Sequence, residues 1–313
     1  MKEPDLKYFA VKAIKFIVII LIVDLCLGFA SKILFRNQKS GKYARISHLV
    51  YDASPEVLIM GSSHSTRHFV SPLMSQELQK SCYNAGVRGQ GITFITAIQE
   101  IVLARTKPSL IILNIDPDFL SYNPLVFDRL SDLHPYYWDH RNILKPILSK
   151  GSKLIDLKLA LQAYQMNSTI VHIIKYYLFP QEDYEGYMPL FGTMSESEVT
   201  NIREKIFGVN KAKNDNRFIE SFKKFILNAK SEEIDLIVVT SPTIFEDDYN
   251  QNESMLVMKH ILNQEGIYFH DFTSDVSFKY KNELFNDISH LNDQGARLFT
   301  SKLILEIKKD LAK

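Results

Sequence analysis

Five short apolar runs, at residues 56–60, 81–85, 110–115, 235–240 and 267–271, are each rich in β-branched or aromatic side chains and bounded by Gly, Pro, Asn or Asp. Runs of that length suit strands better than helices. Stretches with helical apolar periodicity lie between and after them, at 72–80, 93–104, 217–229, 255–263 and 294–311. This alternation restricts the fold severely, because a helix after each strand returns the chain to lay the next strand parallel to the last. The expectation is a flavodoxin-like three-layer α/β/α sandwich around a mainly parallel five-stranded sheet.

Two segments fall outside that repeat. Residues 119–216, between the third and fourth strands, are far longer than a usual crossover, helical in pattern and rich in Tyr and Leu. They are expected to form a helical lid insertion. Within it, His134-Pro135-Tyr136-Tyr137-Trp138-Asp139-His140 is read as aromatics filling a small helical subdomain, in preference to a flat-ring sugar platform.

The second segment is Phe16 to Ala30, FIVIILIVDLCLGFA, with Lys12 and Lys15 before it and Lys32 and Arg36 after it. With Lys32 snorkelling and the helix continuing towards Phe35, it is long enough for a bilayer core of about 30 Å. No small-residue cleavage pattern follows, so an uncleaved N-terminal transmembrane signal anchor is expected. Residues 1–48 are then anchor and connector, and 49–313 the α/β domain. Asp24 inside the apolar run is costly enough to call for a partner helix. Basic residues flank both ends, which leaves orientation unset.

Lys plus Arg number 37 against 36 Asp plus Glu, a net charge of +1. That supplies no long-range field for a polyanion, and nucleic acid is not an expected partner. Only Cys26 and Cys82 occur, too few for a disulfide framework or a Cys-rich zinc site. With no H-E-x-x-H, P-loop or dinucleotide glycine fingerprint, no metal and no cofactor are expected.

The first strand runs into Ile59-Met60-Gly61-Ser62-Ser63-His64-Ser65. This brings Ser63 to the carboxyl edge of the sheet, where open α/β folds bind ligands. A serine hydroxyl needs a base to become a nucleophile. Asp287-Ile288-Ser289-His290-Leu291-Asn292-Asp293-Gln294-Gly295, ahead of the terminal helix, supplies His290 as that base and Asp287 to orient it. His270-Asp271 is the less favoured dyad, because neighbours on a strand point to opposite faces.

These blocks, in this order, resemble the SGNH/GDSL hydrolase superfamily. There the first block is Gly-Asp-Ser, the second contains a glycine, the third is Gly-x-Asn-Asp and the last Asp-x-x-His, on a flavodoxin-like sandwich. The resemblance runs from about residue 56 to the end, with the insertion unmatched. It implies Ser63 as nucleophile, His290 as general base and Asp287 as its partner. The second block looks like Tyr83-Asn84-Ala85-Gly86-Val87-Arg88-Gly89, which implies an oxyanion hole from the amides of Gly89 and Ser63. Asn84, His64 and Asn114 are the candidate substrate-binding residues. Two departures stand out. Ser62 replaces the first-block Asp, and the third block reads Asn114-Ile115-Asp116-Pro117-Asp118, with no Asn in the oxyanion position and Pro117 unable to donate an N–H.

Divergent members that keep the Ser and the Asp-x-x-His without the third-block Asn are similar to membrane-anchored proteins of cell-envelope polymers, as in alginate acetylation and teichoic-acid alanylation. That resemblance implies a serine-dependent ester hydrolase or O-acyltransferase, with acetyl the expected group, working through an acyl-Ser63 intermediate on a surface polysaccharide or other acylated glycan. It also implies an extracytoplasmic catalytic domain and a membrane acyltransferase as candidate partner of the N-terminal helix. The alternative is a catalytically degenerate SGNH-fold module for polysaccharide binding or envelope assembly.

Overall fold

The structure, a computed structural model, describes residues 3–195, 197, 213–245 and 252–312 of the chain. In chain order, α1 (Glu3–Asn37) and α2 (Lys42–Tyr51) precede β1 (Val57–Met60), α3 (Ser63–His68), α4 (Ser71–Leu78), β2 (Cys82–Asn84), α5 (Ile92–Leu103) and β3 (Leu110–Ile115). After β3 come α6 (Pro124–Asp128), α7 (Arg141–Leu148), α8 (Ile155–Ala160) and α9 (Gln162–Leu178). The last elements are α10 (Asn216–Ser231), β4 (Asp235–Thr240), α11 (Glu253–Gln264), β5 (Tyr268–Asp271) and α12 (Asp293–Asp310). The chain divides into two compact units, residues 45–130 with 182–313, and residues 1–44 with 131–181.

The larger unit is built on one sheet of five parallel strands in the order β2-β1-β3-β4-β5. This is the flavodoxin-like order expected from the strand–helix alternation. β1 and β3 are buried along their whole length, which is why they read as continuous apolar runs instead of alternating ones. On one face Val57, Ile59, Leu110, Ile112, Ile237 and Val239 pack with Met74 of α4 and Phe299 and Leu303 of α12. The opposite side chains, Leu58, Ile111, Leu113 and Val238, are equally buried. α5 and α10 are joined to each other by Gln99 Nε2 donating to the Phe225 carbonyl at 3.0 Å and Thr96 Oγ1 donating to the Ser221 carbonyl at 3.0 Å.

Helix starts follow capping chemistry. Asp215 accepts from the Arg217 amide at 2.8 Å, Asn252 from Met255 at 3.1 Å and Asn292 from Gly295 at 3.0 Å. The last cap fixes where α12 begins and therefore how the preceding segment 286–291 is held.

The smaller unit gathers α1 and α7–α9. Tyr136 and Tyr137 are fully buried, the Tyr43 hydroxyl donates to Asp132 at 2.6 Å, and Trp138 Nε1 donates to the Leu159 carbonyl at 2.9 Å. Tyr136 and Tyr137 of the aromatic run thus fill a small helical core, while Trp138 is exposed. Residues 131–181, the middle of the expected insertion 119–216, belong to this unit, while 119–130 and the described residues of 182–216 belong to the other. Residues 196 and 198–212 lie outside the described residues. Leu6–Asn37 is long and apolar enough to cross a membrane, and only 6% of its apolar window is buried.

Candidate active site

β1 ends at Met60, and the chain turns at once into α3, so that Ser63 is the first residue of the helix and Ser62 its cap. The turn requires glycine. Gly61 sits at φ +152°, and a Cβ there would meet the Asn114 carbonyl oxygen at 2.8 Å. Ser63 is half-buried and opens into a cleft of about 470 Å³ that is also lined by Gly89, Asp118, Phe119, Tyr122 and Arg129. The cleft lies where the strand order reverses between β1 and β3, the place where open α/β sheets bind ligands.

Across from Ser63, the segment Asn286–Leu291 folds on itself. Asp287 Oδ1 accepts from the backbone amides of Ser289 at 2.9 Å and His290 at 3.0 Å, closing a tight turn of the kind that Asp and Asn favour at the first position. The same carboxylate meets His290 Nδ1 at 2.9 and 3.1 Å, and His290 Nε2 reaches Ser63 Oγ at 3.0 Å. The three residues therefore form one connected Ser–His–Asp chain. Burial lowers the His290 pKa first, the positive charge of His64 lowers it further, and Asp287 offsets part of this. The ring is held neutral at pH 7, the form that can take the serine proton.

A second network stands beside the first and was not expected from the sequence. Ser62 Oγ donates to Asp116 Oδ2 at 2.7 Å, and His64 Nδ1 is paired with Asp116 Oδ1. Burial alone would lower the His64 pKa, but the charge and hydrogen bond of Asp116, with a further bond to the Ser289 backbone, raise it. Burial alone would raise Asp116, but the same pairing and Ser62 hold it below the usual carboxylate range. The two form an ion pair at the edge of the catalytic chain. Ser62, which stands where the resembled family has Asp, receives its carboxylate from the end of β3 instead.

The remaining sequence candidates divide. Gly89 lines the cleft with Ser63 and adopts φ +74°, its carbonyl accepting from Arg129 at 2.6 Å. Asn84 is fully buried, donates to the carbonyls of Ser65 at 2.7 Å and Phe69 at 2.9 Å, and accepts from the Gly86 amide at 3.0 Å. It braces α3 against β2 and has no group left for a substrate. Asn114 is likewise fully buried inside β3, its Oδ1 accepting from Ser241 at 2.7 Å. His64 has its ring engaged by Asp116 and Ser289, which gives it an electrostatic place instead of a free contact with substrate. His68 is fully buried and accepts the Leu291 amide at 3.0 Å, tying α3 to the segment that carries His290. The less favoured dyad is split, since His270 Nε2 pairs with Asp310 at 2.6 Å and Asp271 with Lys259 at 2.8 Å.

The geometry joins Ser63, His290 and Asp287, three of the residues that the SGNH/GDSL resemblance singled out. No family model and no curated protein matches the chain. Among solved structures, this chain is similar to a protein of the G-D-S-L lipolytic family from Desulfitobacterium hafniense, at 12% identity, TM-score 0.40, with 79% of this chain and 97% of that one covered. It is also similar to an acetylxylan esterase from Geobacillus stearothermophilus, at 13% identity, TM-score 0.40, with 80% and 93% covered.

Proposed function

We propose that this chain is an SGNH-type serine ester hydrolase or O-acyltransferase, anchored by α1, that removes or transfers an acyl group, acetyl being the simplest, on a surface polysaccharide. The observation that carries the reading is the unbroken link from Ser63 Oγ through the His290 ring to Asp287 at hydrogen-bond distances throughout.

In the proposed reaction His290 Nε2 takes the Ser63 proton as Oγ attacks the ester carbonyl. The tetrahedral oxyanion is met by the N–H of Ser63, which as the first helical residue has no carbonyl partner within α3, and by that of Gly89. Collapse breaks the ester bond, His290 returns the proton to the departing alcohol, and the acyl group stays on Ser63. A water molecule or a sugar hydroxyl then attacks the acyl carbonyl as His290 takes its proton; the bond to Ser63 Oγ breaks, and His290 returns the proton to Oγ. Water makes the chain an esterase; a sugar hydroxyl makes it a transferase.

α1 supports a membrane location, and the acyl-polymer chemistry of the resembled proteins supports an extracytoplasmic domain with a membrane acyltransferase as acyl source. One feature favours a second reading, a catalytically silent glycan-binding module: at the end of β3 the chain carries Asp116 and Pro117 in place of an amide donor. The two readings separate on turnover of 4-nitrophenyl acetate by the full chain in detergent. Release of nitrophenol that disappears in both Ser63→Ala and His290→Ala supports the enzyme. Equal, background release by all three proteins, with glycan binding retained, supports the module.

A further inference from the structure

Among the described residues of α1, Asp24, Gly28 and Phe35 are shielded from solvent and Ala13 and Ser31 are half-buried, a recurrence at helical spacing that marks one face. α9 lies along that face in the same direction. Its first amides, from Gln162 and Ala163, each donate to the Asp24 carboxylate at 2.8 Å, and Tyr177 near its end donates to the Leu34 carbonyl at 3.1 Å. Leu161, at the cap position of α9, offers no side-chain acceptor, and Asp24 takes over that task. The approach is close: a Cβ on Gly28 would meet Gln162 Cβ at 2.2 Å, the kind of contact that small residues permit between membrane helices.

The start of α9 is therefore level with Asp24, well inside the apolar stretch of α1. Its outer surface is apolar as well. Leu154, Leu157, Leu161, Val171, Leu178 and Phe179 are all exposed, Leu157 at 67% and Phe179 at 70%. A patch of this kind marks a surface with a partner. Two features single out lipid as that partner. The patch is continuous with the membrane-spanning face of α1 inside one compact unit, and Lys153, Lys158 and Lys175 are spaced along it, as snorkelling cations are beside anionic headgroups. The one acidic side chain of α8, Asp156, is neutralised by Arg141 at 2.8 Å and Lys145 at 2.6 Å.

We propose that residues 154–179 form a second membrane-contacting element, seated beside the Asp24–Asn37 half of α1 in one leaflet, with its outer apolar side chains among the acyl chains. This rests on the reading of α1 as a membrane span. Asp24 then has its partner helix within the same chain, and its carboxylate is satisfied at depth by two backbone amides.

The test uses the full chain, with Cys26→Ser and Cys82→Ala, in vesicles of three parts phosphatidylcholine to one of phosphatidylglycerol. Spin labels are placed singly at Leu157, Phe179, Ile19 and Val276, the last an exposed control in the larger unit. Collision with a water-soluble nickel relaxant is expected to be several-fold lower at Leu157 and Phe179 than at Val276, and collision with oxygen higher. Asp24→Ala is expected to raise relaxant access at Leu157 while Ile19 stays shielded. Relaxant access at Leu157 and Phe179 equal to that at Val276, with Ile19 shielded, would overturn the proposal and leave the span standing. Free access at Ile19 as well would overturn both.

Discussion

The His64 and His290 rings lie 5.4 Å apart, centre to centre, and their pKa values are displaced in opposite directions. His64, paired with Asp116, is shifted towards its protonated form; His290, facing Ser63, is shifted towards its neutral form. Burial does most to keep the base from protonating, charge on His64 adds to it, and Asp116 favours that charge.

A pH profile follows from that arrangement. His290 works in its neutral form, and because its pKa is depressed below 6.5, activity is expected to be flat through neutral pH and to fall only as the pH drops through that lowered value. His64→Gln removes the charge that lowers His290 and leaves Asp116 negative, so the His290 pKa rises. The acid limb of kcat/KM for 4-nitrophenyl acetate is expected to move to higher pH by up to about 1 unit, the scale of a partly screened charge at this range. An unchanged acid limb would contradict the coupling.

The connected chain from Ser63 to Asp287 sets the ordering of variant effects. Ser63→Ala and His290→Ala are each expected to lower kcat by at least about 1,000-fold, and the double variant by no more than either single one, because the residues act as a unit. Asp287→Asn is expected to cost activity less severely and to alter the Ser289 and His290 amide environment as well, because the same oxygen holds the turn. Initial-rate kinetics on purified variants check both points.

Gly61 tests the turn that presents the nucleophile. Alanine there must adopt φ +152° and press its Cβ on the Asn114 carbonyl at 2.8 Å. A loss of about 1–3 kcal/mol is expected in denaturant titration of Gly61→Ala, the usual cost of a side chain forced into such a conformation.

His68 tests the tie between α3 and the base. With both heavy elements of that contact buried, His68→Leu leaves the Leu291 amide without its acceptor, at a cost of about 1–3 kcal/mol. Because Leu291 follows the base directly, kcat is expected to fall more than KM changes. Thermal unfolding and steady-state kinetics on the same variant separate the two effects.

The centre of the parallel sheet was legible in the sequence because strands buried on both faces, as β1 and β3 are, read as apolar runs that stand out between Gly, Asn and Asp. Asp287 and His290 were legible because their pairing is local: the carboxylate closes a tight turn and meets the ring it precedes. The Ser62–Asp116–His64 network was not, since it joins residues brought together only by the neighbouring ends of β1 and β3. Ser62 looked like a lost carboxylate, whereas the carboxylate arrives from the next strand of the sheet. Asn84 and Asn114 misled for a related reason. A polar side chain in a motif reads as a ligand contact, but both are fully buried, where Asn84 is taken up by the Ser65 and Phe69 carbonyls and the Asn114 oxygen by the Ser241 hydroxyl. The demand of Asp24 for a partner was legible from its cost inside an apolar run; that α9 supplies it was not.

The most direct test of the serine mechanism is intact-mass analysis of the full chain after exposure to a fluorophosphonate, alongside Ser63→Ala and His290→Ala. A single phosphonyl adduct on the unaltered chain, mapped to Ser63 and absent from both variants, is the expected result. No adduct on the unaltered chain, or equal labelling of all three, would contradict it.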